Sequence, residues 1–134
     1  MQALQAAFWP RDESLSWTST PFRDGRDWAR AVERGGNGED PIQVITPSEA
    51  LARLGAERAD LAKVDIEGAE AMFFGTEADT DALLHLADVF AIELHAESID
   101  PLKAAIAFDR RGFLCFAAGG FLIAIRRERL QIPS

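Results

Sequence analysis

The sequence predicts an α/β protein built on a mainly parallel sheet. Segments with strand-like and helix-like apolar spacing alternate from residue 42 onward, as in consecutive βαβ units. Residues 61–66 and 89–92 are almost continuously apolar, which is typical of strands covered on both faces. Two more apolar runs flank Gly119-Gly120, and this pattern predicts an antiparallel hairpin near the C-terminus.

The first 40 residues are the least regular part of the chain. Residues 3–9 predict an opening strand, and residues 15–18 predict a second, short one. Residues 19–40 are polar and rich in glycine, so we expect a flexible, mobile connection there. The Gly-Gly-Asn-Gly run at 35–38 lacks the preceding strand and following helix of a phosphate-binding loop, so we interpret it as part of that connection.

The rest of the chain predicts regular elements with clear ends. After a strand over 42–45, the segment Thr46-Pro47-Ser48-Glu49 matches a capping box, and its helix ends at Gly55. A strand over 61–66, a helix over 69–74 ended by Gly75, a helical segment over 79–86 and a strand over 89–95 follow. Asp100-Pro101 starts a helix that continues to residue 108, and residues 113–117 and 121–125 make the hairpin.

Composition and charge narrow the classes of function. The 134 residues, 48% of them apolar, suit one soluble domain. Acidic residues outnumber basic ones by 22 to 14, which argues against a nucleic-acid partner. The N-terminus is a poor signal peptide, and the longest apolar stretch, residues 113–125, is short for a membrane span. Because the single cysteine, Cys115, has no partner for an internal disulfide, we expect a cytoplasmic protein and a buried, unreactive thiol.

Ionisable side chains follow the ends of two successive predicted strands. Asp65 and Glu67 lie at the end of the first, and Glu93 and His95 lie at the end of the second. Residues two apart on a strand point to the same face, and ligands of open α/β sheets bind outside the carboxyl ends of the strands. We therefore expect these four groups to converge in a ligand cleft. A metal held by Asp65, Glu93 and His95 is a further alternative, although no tight ligand spacing supports it.

Two segments of this region resemble a known family. The box Lys63-Val64-Asp65-Ile66-Glu67-Gly68-Ala69-Glu70 and the following Ala91-Ile92-Glu93-Leu94-His95 resemble the C-terminal half of FkbM-type methyltransferases. That family is similar in having a Lys-x-Asp-x-Glu-Gly-x-Glu box and an Ile-Glu-Leu-His-like strand at about this separation. The resemblance implies a Rossmann-like sheet and an S-adenosylmethionine-dependent O-methyltransferase that acts on a hydroxyl of a small molecule or sugar.

The resemblance also implies roles for these residues. Asp65 and Glu67 would lie near the sulfonium cation of the cofactor, whose charge suits acids at the strand ends. His95 would accept the proton of the acceptor hydroxyl, because histidine is the side chain best tuned for that near neutral pH. Asp65 and Glu93 complete the implied catalytic set. Glu70 matches the last acid of the box, and its place in the first turn of a helix is favourable without any function.

The chain departs from the family pattern at its start. A methyltransferase of this type begins with a strand, a Gly-rich loop and a second strand ending in an acid, which hold the methionine and ribose of the cofactor. This sequence begins near what resembles the third strand, so we expect a partial methyltransferase domain over residues 1–134 with weak or lost cofactor binding. An apolar sheet edge would then be open to self-association. The competing hypotheses are a non-catalytic binding module that kept the fold and a metal-dependent hydrolase.

Overall fold

In the computed structural model, which describes residues 1–17, 32–34 and 41–131, the chain opens with very short strands. They are β1 (Ala7–Phe8), β2 (Leu15–Trp17), β3 (Val32–Arg34), β4 (Pro41–Ile42) and β5 (Val44–Ile45). β2 pairs antiparallel with both β3 and β4, and β1 pairs parallel with β5. The chain therefore passes from one small sheet to another between β4 and β5, where we predicted a single strand.

Two expectations for this part of the chain are corrected. The opening strand is two residues long, because only Ala7 and Phe8 are paired with a neighbouring strand. Val32–Arg34 form a strand inside the segment that we interpreted as a connection, because β2 offers them an edge to pair with. The rest of that segment, including the Gly-Gly-Asn-Gly run, lies outside the described residues.

Two of the helices begin at the predicted capping residues. In α1 (Pro47–Leu54), the Thr46 hydroxyl accepts from the Glu49 N–H, and the Thr46 N–H donates to the Glu49 carboxylate at 2.8 Å, which confirms the capping box. α2 (Glu77–His85) starts two residues before the predicted position because Thr76 caps it, and Asp100 caps α3 (Pro101–Asp109) as predicted. Within the described residues, no helix reaches the length and apolarity needed to cross a membrane.

The main sheet has four strands, β6 (Ala59–Val64), β7 (Ala87–Glu93), β8 (Phe113–Ala118) and β9 (Phe121–Arg126), in the order β6-β7-β9-β8. The 3₁₀ helix Ala69–Phe74 and α2 connect β6 to β7, and α3 connects β7 to the predicted hairpin. The β6–β7 pair is parallel, whereas β7–β9 and β8–β9 are antiparallel. The fold is thus mixed α/β, and the expectation of a mainly parallel sheet is wrong for this part because the hairpin adds two antiparallel pairings to one βαβ unit.

The two faces of this sheet are covered unequally. On one face, Phe90 and Phe113 pack edge-to-face with Phe108 of α3, with ring centroids 5.3 and 5.2 Å apart, in the middle of the core. On the other face, Leu61 and Phe116 are 60% and 46% exposed and lie outside the core cluster. β6 has one partner strand among the described residues, so the sheet keeps an open edge beside Leu61.

A buried carboxylate fixes the amino end of β7. Asp88 is 3% exposed and accepts hydrogen bonds from Arg58 at 3.2 Å, Arg126 at 3.0 Å and Arg129 at 2.6 Å. Burial alone would raise the pKa of Asp88, but the three guanidinium groups outweigh it and hold that pKa below its ordinary value. The cluster ties β7 to the residue before β6, to β9 and to the C-terminal 3₁₀ helix Arg127–Leu130.

Candidate functional site

The carboxyl ends of β6 and β7 set the position of the site. The two strands run parallel with Val64 opposite Ile92, so the segments that follow them leave the sheet at the same edge. Asp65 and Glu67 lie in the first of these segments, and His95 lies in the second. A turn closes the second segment, in which the N–H of Ser98 donates to the carbonyl of His95 at 2.8 Å.

The backbone at Glu67 and Gly68 is held in an unusual conformation. Glu67 has a φ of 54°, which is left-handed and costs an L-residue about 1–2 kcal/mol. Gly68 has a φ of 100°, and a Cβ at that position would lie 2.7 Å from the Ser98 hydroxyl. Glycine therefore allows the segment after β6 to approach the turn after β7. Strain of this kind persists where the surrounding structure enforces it, and it clusters at functional sites.

His95 is held between two carboxylates. Its Nδ1 lies 2.9 Å from Oε1 of Glu70, and its Nε2 lies 3.6 Å from Oε2 of Glu67. The imidazole side chain is 10% exposed, so most of its surface is in contact with protein. With Nδ1–H donating to Glu70, Nε2 carries a lone pair on the side of Glu67.

Glu70 is the most deeply buried member of this group. Its side chain is 1% exposed, and its Oε1 also accepts from the Ile66 N–H at 3.2 Å. Its other oxygen, Oε2, is buried and has no hydrogen-bond partner among the described residues. The sequence-based interpretation gave Glu70 no catalytic or binding role, and the signal that was available is its place as the last acid of the box.

Asp65 completes the group on its solvent side. Its side chain is 32% exposed, and its Oδ2 accepts from the Lys63 ammonium at 3.4 Å. One donor atom each from Asp65, Glu67 and His95 lies within 4.8 Å of the others. The predicted convergence of these three residues is confirmed, and we call them, together with Glu70, the acid–histidine cluster.

Glu93 is the predicted site residue that the structure does not bring into this cluster. β7 ends at Glu93, so the alternation expected to place Glu93 and His95 on one face stops before His95 is reached. Glu93 instead pairs across the sheet with Phe121 of β9. His85, at the end of α2, is exposed and lies outside the cluster.

A cavity opens beside the cluster. It has a volume of about 560 Å³ and lies between β1, the Pro41–Ile42 strand and the segment after β6. Phe8, Trp9, Trp17 and Glu67 are among the residues that line it. A pocket of this volume with aromatic residues and one charged residue in its lining is typical of a small-molecule site. Glu67 therefore belongs both to the cluster and to the wall of the cavity.

Comparisons with known proteins identify no family for this chain. No protein-family model, curated protein or solved structure matches it. What the cluster can do chemically therefore rests on its own residues and their geometry.

Proposed function

We propose that this chain belongs to an S-adenosylmethionine-dependent O-methyltransferase and that the acid–histidine cluster receives the acceptor hydroxyl. The observation that carries the proposal is the position of His95, which is fixed between Glu70 and Glu67 at the carboxyl ends of two parallel strands. The resemblance of residues 63–70 and 91–95 to FkbM-type methyltransferases supports the same activity.

The cluster is suited to moving one proton. In the absence of a metal, His95 Nε2 takes the proton of the acceptor hydroxyl as the oxygen attacks, while the Nδ1–H remains bonded to Glu70. Glu70 is a positioning residue, because it touches the imidazole and not the acceptor. The hydrogen bond from the Ile66 N–H fixes its carboxylate, so the lone pair of Nε2 keeps one direction. General-base catalysis of this kind contributes about 10²–10⁴-fold to a rate.

The residues around the cavity fit the cofactor. S-adenosylmethionine, when bound, supplies an electrophilic methyl group on a sulfonium cation. Aromatic residues in the cavity lining, Phe8, Trp9 and Trp17, make it suited to a flat base, and Glu67 offers a charge opposite to that of the sulfonium. Asp65 does not line the cavity but lies beside Glu67, so it would act on the charge of the cofactor at longer range. These are the two cofactor residues that the sequence predicted.

The proposed acceptor is an uncharged, hydroxylated small molecule or sugar. A cluster that already holds three carboxylates, Asp65, Glu67 and Glu70, repels an anionic acceptor. Much of the rate would then come from aligning the hydroxyl with the methyl group, as in other reactions that bring two substrates together.

Titration calorimetry with S-adenosylhomocysteine tests the proposal. We expect the wild type to bind S-adenosylhomocysteine. S-adenosylmethionine should bind at least about tenfold more weakly to Glu67→Gln than to the wild type, because the variant removes the carboxylate proposed to face the sulfonium, whereas the uncharged sulfur of S-adenosylhomocysteine should lose less affinity. Glu57→Gln is the matched control, since Glu57 is an exposed glutamate outside this cavity. Absence of heat with millimolar ligand would contradict the proposal and favour a non-catalytic binding module with the same fold.

A further inference from the structure

We propose that Asp65, Glu67 and His95 form a binding site for one divalent cation of the first transition row. Metal binding is separate from the chemistry that S-adenosylmethionine supplies, and the metal site can form without S-adenosylmethionine. Its catalytic meaning, however, rests on the proposed methyltransferase function.

The separations of the donor atoms suit a single ion. Two ligands that each lie about 2.1 Å from one metal are about 3.0 Å apart at a right angle and about 4.2 Å apart when opposite. His95 Nε2 and Glu67 Oε2 are 3.6 Å apart, which falls inside that range. All three donor atoms lie within 4.8 Å of one another, and the exposed Asp65 would close by up to about 2 Å to reach the same ion as an adjacent ligand.

The surroundings of His95 orient it as a ligand. A metal-bound histidine usually donates its other ring N–H to a carboxylate, which fixes the tautomer and raises the basicity of the ligating nitrogen. Glu70 Oε1 occupies this position at 2.9 Å from Nδ1. Nε2 is then the nitrogen that faces Glu67, the second proposed ligand, and metal binding would displace any proton that it carries.

The charge of the cluster provides an independent argument. Asp65, Glu67 and Glu70 bring three carboxylates together, an arrangement that attracts a cation. The Glu70 side chain is 1% exposed, and its Oε2 has no hydrogen-bond partner among the described residues. A buried carboxylate left in this state is costly, and a cation bound to His95 would offset part of that cost.

The ligand types narrow the choice of metal. Two carboxylates favour Mg²⁺ and Mn²⁺, whereas an imidazole favours Mn²⁺, Fe²⁺ and the later first-row ions over Mg²⁺. We therefore take Mn²⁺ as the probe. A bound cation would occupy Nε2 of His95, which could then no longer accept a proton. The cation would instead lower the pKa of an acceptor hydroxyl bound to the metal, and the proton of that hydroxyl would pass to solvent.

Electron paramagnetic resonance of Mn²⁺ tests the site directly. Titration of the metal-free protein should show one bound ion per chain, and the echo-modulation spectrum should contain the ¹⁴N signal of a coordinated imidazole. We expect the affinity to fall at least about tenfold in Glu67→Gln and about 10–100-fold in Glu70→Gln, which loses the group that orients His95. Glu57→Gln, in an exposed residue away from the cluster, should bind as the wild type does.

The wild-type spectrum alone decides the question if a variant fails to fold. A spectrum without bound Mn²⁺ at millimolar metal, or with bound ion but no ¹⁴N signal, would overturn the proposal. Calorimetry with S-adenosylhomocysteine, with and without Mn²⁺, separates this result from the fate of the proposed function. If S-adenosylhomocysteine binds and Mn²⁺ does not, only the proposed cation site is contradicted. If Mn²⁺ binds and S-adenosylhomocysteine does not, only the proposed methyltransferase function is contradicted.

Discussion

Gly68→Ala should destabilise the protein more than any other glycine-to-alanine change at a positive φ among the described residues. The substitution has two costs that can be separated. A side chain at a φ of 100° costs about 1–2 kcal/mol. The new Cβ would also lie 2.7 Å from the hydroxyl of the exposed Ser98, so that side chain must rotate away from its present position, which costs about 0.5–1.5 kcal/mol. The sum is a loss of about 1.5–3.5 kcal/mol in the free energy of unfolding.

A control in the same chain isolates the clash. Gly112 has a φ of 84°, and nothing lies within 4 Å of its hypothetical Cβ, so Gly112→Ala should show the backbone cost alone. Urea denaturation followed by tryptophan fluorescence measures both variants. In a Ser98→Ala background, the excess cost of Gly68→Ala over Gly112→Ala should fall close to zero, because the remaining Ser98 carbon is at an ordinary 3.7 Å.

The comparison also tests whether the two loops of the site are in contact. If Gly68→Ala costs no more than Gly112→Ala, the segment after β6 does not approach Ser98 as described, and the reasoning about the cluster fails. If the excess persists without the Ser98 hydroxyl, the cause of the cost lies elsewhere.

Three further predictions concern other parts of the molecule. Asp88→Asn should lower the free energy of unfolding by about 3 kcal/mol at neutral pH, as measured by urea titration. Because the pKa of Asp88 in the folded protein is lowered, this difference from wild type should vanish as the pH falls from about 4 through that pKa, and a difference independent of pH would contradict the prediction. Burial, with the Asp109 charge, raises the pKa of Cys115 to about 11, so iodoacetamide should alkylate the native protein at pH 8 far more slowly than the unfolded chain; equal rates would show an accessible thiolate. We expect self-association through the β6 edge, so the mass measured by sedimentation should rise as the protein concentration rises, and Leu61→Lys should restore the monomer. A wild type that stays monomeric at all concentrations would rule out this association.

Local signals explain which parts of the fold could be predicted from the sequence. The capping box at Thr46 and Glu49, the left-handed end at Gly55 and the cap at Asp100 are each set by neighbours within a few residues, and all are found as predicted. Sheet order depends instead on contacts between distant segments. No local sequence pattern predicts that β9, rather than β8, lies beside β7, or that Val32–Arg34 pairs with β2.

The candidate site shows the same division. The sequence placed Asp65, Glu67 and His95 together because strand ends and a two-residue alternation bring such groups to one edge. It could not predict that the alternation stops at Glu93, since the end of β7 is decided by the turn that follows it. The bond from His95 to Glu70 depends on how a 3₁₀ helix packs against that turn, 25 residues away in the chain.

Methyl transfer is the measurement that tests the central claim most directly. The assay uses S-adenosylmethionine with a tritiated methyl group and follows the label into a panel of hydroxylated small molecules and sugars. Wild type, His95→Gln and Glu57→Gln would be compared at equal concentration, with and without Mn²⁺. We predict slow transfer by wild type and Glu57→Gln, in keeping with the weak cofactor binding expected of a partial domain, and a rate at least about 100-fold lower in His95→Gln, because the variant removes the imidazole at the centre of the cluster. Equal rates in wild type and His95→Gln, or no transfer by the wild type to any acceptor, would contradict the account.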